Sequence, residues 1–348
     1  MKTQLVRTVY VRLTIAIAII LLAVIFIVAR QAKQKLETPH EHLNVLNWTS
    51  YIPDEVITNF EQQTGIKVNY GTYSSNEELL AKVNASAPGT YDLIFPSDYM
   101  VDLMLHRNLL EPIDAAKLTE LANLDSRFLG QSFDPQNQYS YPFLLATTVI
   151  AYDASKLDLI TSYRDLLRPE LANNIIMLDD QRVVIGAMLN AAGYSANSTN
   201  DFHLSESLAF FDLLRPNIKA FDSDSPKTFF ITDEVDAGLV WNAEAILAKA
   251  ERPSLKITYP TEGFSLSMDN YCLVKGSKNQ ANAYQFINYL MQPEIAAQIV
   301  AEYPYISPIS SVETVPSAEL DEIFARGTYI ENVGADISKF DKLWIKYK

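Results

Sequence analysis

Short apolar runs alternate along the chain with longer segments in which apolar residues recur every three to four positions. From Leu43, LNVLNW predicts a strand, followed by a helix that begins near Pro53 and Asp54 and stops at Gly65, then a second strand, IKVNYGTY. Proline in the first turn and glycine past the last are the expected helix punctuation. Ser75 with Glu78 predicts a capping box for the helix NEELLAKVNA, and YDLIFPS reads as a short buried strand. The alternation resumes in NNIIMLDD leading into RVVIGAMLNAAG, and in DAGLVWN leading into AEAILAKAE. Such a βαβαβ pattern predicts mostly parallel sheets flanked by helices. The length of 348 residues fits two doubly wound α/β lobes.

Ligands of such sheets bind where strands hand over to helices, and the chemistry of this sequence gathers there. Trp48, Thr49 and Tyr51 leave the first strand; Ser97, Asp98 and Tyr99 leave the third; Asp180 follows NNIIM; Trp241 and Glu244 follow DAGLV. Asp269 in SMDNY and Tyr305 in YPYISP add a carboxylate and a ring. Each position has a structural alternative. Asp180 and Ser97 suit helix caps, Trp241 suits a core, Glu244 suits a helix dipole, and Asp269 suits a turn. Their recurrence at strand exits favours a site. Aromatic faces interleaved with carboxylates suit an extended organic cation.

Charge sharpens this picture. Residues 1–39 hold six Lys/Arg and one acid; taking these from 28 Lys/Arg and 42 Asp/Glu leaves 22 against 41, a balance of −19 that disfavours nucleic acid as a partner. Leu13–Ala29 is an uncharged apolar run of 17 residues between Arg12 and Arg30. It addresses the chain to the secretory membrane, as a signal peptide (residues 1–30) or as an uncleaved anchor tethering a periplasmic domain. Residues 31–42 read as a polar linker, and its His40 and His42 lack the third ligand that a metal would need. The single cysteine, Cys272, allows no internal disulfide.

Catalytic motifs are missing: the sequence has no G-x-S-x-G, Walker loop, G-x-G-x-x-G or H-E-x-x-H, which argues against an enzyme and implies no cofactor. Hydrolysis by paired carboxylates is the enzymatic alternative, and a membrane-tethered sensor of such a cation is a second. Tyr303 and Tyr305 lack the nearby histidine that a ferric-ion site of this type would want.

The stretches VLNWTSYIPDEVITNFEQQTGIKVNYGTYSSNEELLAKV, YDLIFPSDYMVDLM, DDQRVVIGAMLNAAGYSANSTN, GLVWN and ISPI resemble the spermidine/putrescine-binding substrate-binding proteins of bacterial ABC importers, and the likeness runs from Leu43 to Tyr347. The resemblance implies a two-lobed, type II periplasmic-binding-protein (Venus flytrap) fold. Lobe 1 would span residues 43–147 and 269–313, and lobe 2 residues 148–268 and 314–348. It also implies a monomer that holds putrescine or spermidine in its cleft and delivers it to permease subunits in the inner membrane. Family site positions fall on Trp48, Thr49, Tyr51, Ser97, Tyr99, Asp180, Trp241, Glu244, Asp269 and Tyr305, while Val183, Ser267 and Ile330 stand where spermidine-type members carry an acid, a ring and an amide. The expectation is that Asp269 and Glu244 serve one ammonium, Asp180 the other side, and Trp48 and Trp241 sandwich the alkyl chain.

Overall fold

In the computed structural model, which describes residues 42–348, strands and helices alternate largely as the pattern predicts. The first half holds β1 (His42–Trp48), α1 (Asp54–Thr64), β2 (Lys67–Tyr73), α2 (Asn76–Ala85), β3 (Leu93–Ile94), α3 (Asp98–His106) and β4 (Leu110–Glu111). Then follow β5 (Tyr141–Asp153), β6 (Ile175–Met177), α4 (Gln181–Ala191), α5 (Asp201–Leu214), β7 (Ile218–Phe221), α6 (Lys227–Ile231), β8 (Ala237–Trp241), α7 (Asn242–Glu251) and β9 (Leu255–Thr258). The chain finishes with β10 (Phe264–Val274), α8 (Gln280–Leu290), α9 (Pro293–Glu302), α10 (Ser317–Arg326), β11 (Gly327–Tyr329) and α11 (Ile337–Tyr347). The expected signal peptide or anchor lies outside the described residues. No helix among the described residues is long and apolar enough to cross a membrane. His42, assigned to the linker by the sequence, already belongs to β1, where its carbonyl accepts from Asn282 Nδ2 at 2.9 Å.

The helix signals act as expected, with one shift. Gly65 closes α1 in the left-handed region, φ 74°, and its N–H donates to Glu61 O. Glycine adopts that conformation without steric cost. Ser75 caps α2 by accepting from the Glu78 amide at 3.1 Å, but the Glu78 carboxylate reaches the Ser74 amide and hydroxyl, so the expected reciprocal bond is displaced by one residue.

Two lobes arise because two long strands are shared between them. β1 pairs in parallel with β2 and β3 in one lobe, and β6 pairs in parallel with β7 and β8 in the other. Between these sets run β5 and β10, antiparallel to each other and buried at every position. β10 continues along β3 in lobe 1, whereas β5 continues along β8 and β9 in lobe 2. The lobe limits drawn from the sequence at 147 and 268 fall within these two strands. Burial on both faces explains the largely apolar run of β5, whereas β10, equally buried, carries Ser265, Ser267, Asp269 and Asn270. Lobe 1 packs Leu43, Val45, Phe60, Leu93, Phe286 and Ile287 into its core, and lobe 2 packs Val183, Val184, Phe211, Leu214 and Phe340. In β8, Gly238 has no room for a side chain, since an added Cβ would lie 2.4 Å from Ile176 Cγ2 and 2.6 Å from its carbonyl.

Candidate functional site

β10 suffers a register shift between Asp269 and Asn270 where it pairs with β5. A bulge of this kind re-aims a side chain out of the ladder, and at this one Asp269 contacts three groups delivered by different elements. Trp48 Nε1, at the end of β1, donates to Oδ1 at 3.0 Å and also to Phe95 O at 3.0 Å. Ser97 Oγ donates to the same Oδ1 at 2.7 Å. Tyr51 OH donates to Oδ2 at 2.7 Å. The turn between Trp48 and Tyr51 passes through Ser50 at φ 56°, a left-handed conformation uncommon for a non-glycine residue, and brings Tyr51 to 4.8 Å from the Tyr305 ring. Trp48 in turn leans on Tyr73 at 4.7 Å.

Asp269 is 2% exposed and its pKa is pushed up to about 7, because burial outweighs the three hydrogen bonds that favour its charged form. No lysine or arginine among the described residues forms an ion pair with it. Tyr51 and Tyr305 are likewise held protonated, chiefly by burial.

All ten residues expected from the sequence line one cleft. The cleft encloses about 980 Å³ when its open mouth is counted. Thr49 is exposed at the rim, its hydroxyl turned to Tyr73 O at 3.4 Å. Tyr99 OH donates to Glu77 Oε1 at 3.0 Å, and Trp241 is half-buried, packed against the cores of both lobes.

The acids divide into groups with different surroundings. Asp180 does cap α4, accepting from the Val183 amide at 3.0 Å, yet it also faces the cleft; burial pushes its pKa up to about 6, with nearby Glu77 adding to the rise. Ser97 occupies the N-cap position just before α3 but spends its hydroxyl on Asp269 rather than on a cap. Asp98 does not line the cleft; it is fully buried and accepts from the Tyr99 and Met268 amides.

Glu244 corrects the expectation that it shares an ammonium with Asp269. Lys227 Nζ holds both of its oxygens, at 2.8 and 2.9 Å. Asp179 is paired as well, with Lys348 Nζ at 2.6 Å. The acids of the cleft are therefore partly neutralised from within.

Glu77, Asp179, Asp224 and Tyr73 also line the cleft and were absent from the sequence-derived set. The strand-exit rule would have found all three acids, because Glu77 follows β2, Asp179 follows β6 and Asp224 follows β7.

A two-lobed α/β fold with both lobes contributing acids and rings to one cleft defines a solute-binding architecture. The chain belongs to the bacterial extracellular solute-binding protein family, whose model matches residues 55–325. It is 33% identical over 320 residues to a spermidine/putrescine-binding periplasmic protein of Salmonella typhimurium, covering 89% of this chain and 92% of that one. It is 34% identical over 313 residues to the protein of that name in Escherichia coli, covering 87% and 90%. Among solved structures, a putative spermidine/putrescine ABC transporter protein from Listeria monocytogenes superposes with a TM-score of 0.82 at 33% identity, covering 88% of this chain and 98% of that one.

Proposed function

We propose that this protein binds a polyamine, putrescine or spermidine, between its lobes and delivers it to the permease subunits of an ABC importer in the inner membrane. One observation carries the reading: Asp269 is a buried carboxylate with three hydrogen-bond donors and no cation partner among the described residues, walled by Trp48, Tyr51 and Tyr305. A buried charge without a counterion is costly, and an arriving ammonium removes that cost. Rings beside it cover methylene groups and attract the cation, each contact contributing roughly 0.5 to 2 kcal/mol. Relatives named as spermidine/putrescine-binding periplasmic proteins support the same ligand class, an extracytoplasmic location and a binding rather than an enzymatic role.

In this reading residues 43–147 with 269–313 form one lobe and 148–268 with 314–348 the other. They hinge where β5 and β10 cross, and the protein works as a monomer. A ligand touching both lips favours the closed state by its differential affinity, so no bond need be made or broken. A micromolar site corresponds to about −8 kcal/mol, within reach of a few charge-assisted bonds and ring contacts.

Native mass spectrometry of the protein purified without refolding tests the proposal. The expected result is a retained small molecule with the mass of a diamine or triamine, or one acquired on adding putrescine. A protein that carries none and takes up none would sink it. Loss of tracer polyamine uptake on deleting the chain would separate transport from sensing. Trp241→Ala is expected to weaken amine binding at least tenfold with little change in the melting temperature of the empty protein. Thermal unfolding and calorimetry measured together check this, and a large melting shift with unchanged affinity would make Trp241 a core residue.

A further inference from the structure

Lys227 opens α6, and Glu244 lies in the first turn of α7. The Glu244 side chain is 10% exposed and that of Lys227 29%. Glu244 faces the cleft, whereas Lys227 is not among the residues lining it. One carboxylate is thus approached by the cleft from one side and by a resident ammonium from the other. Besides the two contacts of its Nζ, the Lys227 amide stands 3.5 Å from Glu244 Oε2. Glu244, Asp269 and Tyr305 line the same cleft, and the Tyr305 ring stands 4.8 Å from that of Tyr51, which donates to Asp269.

We infer that Lys227 is a specificity-determining residue: from behind the cleft its ammonium satisfies Glu244, the carboxylate that a further nitrogen of a triamine would pair with, and so favours a diamine. The inference rests on the polyamine reading above. A carboxylate already held at both oxygens offers little to an incoming cation, and a second ammonium beside the first meets like-charge repulsion. Rejection built from repulsion as well as lost attraction is how binding sites separate close analogues. Asp269, Asp180 and Glu77 remain for the ligand, with Asp224 also facing the cleft outside any ion pair among the described residues. Lys227 acts through Glu244, so it is a positioning residue rather than a direct contact.

The test is calorimetric titration of putrescine and spermidine at pH 8 into the wild-type protein, Lys227→Met, Lys227→Arg and the double variant Lys227→Met with Glu244→Gln. The wild type is expected to prefer putrescine. Lys227→Met should raise spermidine affinity relative to putrescine at least tenfold, Lys227→Arg should keep the wild-type ratio, and Glu244→Gln in the Lys227→Met background should abolish the gain. A purely structural role for Lys227 would lower the melting temperature without moving the ratio, and that result overturns the inference, as does a wild type that prefers spermidine. Failure of the wild type to bind either amine sinks the polyamine reading itself, whereas putrescine binding with an unmoved ratio sinks only the assignment of Lys227.

Discussion

Asp269→Asn should weaken putrescine binding at least a hundredfold, about 2.7 kcal/mol, while leaving the empty protein as stable as the wild type or more so. Asparagine is nearly isosteric, so the bulge in β10 and the surrounding rings have no reason to move. Its Oδ1 can accept from both Trp48 Nε1 and Ser97 Oγ, which share one oxygen of the aspartate. Its Nδ2 then faces the Tyr51 hydroxyl, which can turn to accept. What disappears is the charge, and with it the cost of holding an ionised carboxylate that is 2% exposed. Binding and stability therefore move in opposite directions. A variant that unfolds several degrees lower while keeping its affinity would assign Asp269 to the scaffold.

The second large effect is with pH. Burial raises Asp269 to about 7 and Asp180 to about 6, above the ordinary value near 3.9. An ammonium ligand needs both ionised, so at pH 5 binding must drive off about two protons, and at pH 8 almost none. Affinity for putrescine is expected to fall by roughly two to three orders of magnitude from pH 8 to pH 5. The stability contribution of these groups has the opposite sign. With folded pKa values above the unfolded ones, it is fully present below about pH 4 and lost as pH rises through about 6 to 7. The empty protein should thus melt higher at pH 5 than at pH 8 on account of these two groups, while binding its ligand more weakly. Titrations in buffers of different ionisation enthalpy would count the protons released. A flat affinity between pH 5 and 8 would contradict the assigned environment of Asp269.

Where the chain punctuates itself locally, the fold can be read from it. Pro53 and Gly65 delimit α1 because their backbone preferences act within a turn, and Ser75 caps α2 for the same reason. The site residues at the ends of β1 and β8 were legible because ligands in such sheets gather at strand exits. Nonlocal pairing was less visible. Nothing in YPFLLATTVIAYD or FSLSMDNYCLV states that these strands run antiparallel and join the two lobes, since an all-buried strand reads the same in either direction. Likewise YDLIFPS yields only the two-residue β3, because Pro96 removes a ladder donor and Ser97 turns to Asp269. The ion pair of Lys227 with Glu244 joins residues on two helices, seventeen positions apart, where no helical spacing signals contact. Asp180 combines both of its sequence readings, as a cap and as a cleft acid.

In the proposed binding mode, charge on the guest, rather than its length or its apolar chain, drives entry into the cleft. Calorimetric titration at pH 8 with putrescine and with 1,4-butanediol, which keeps the four-carbon chain but carries no charge, tests it most directly. The diamine should bind in the micromolar range and the diol should give no measurable heat of binding; a diol that binds as tightly as the diamine would contradict the account.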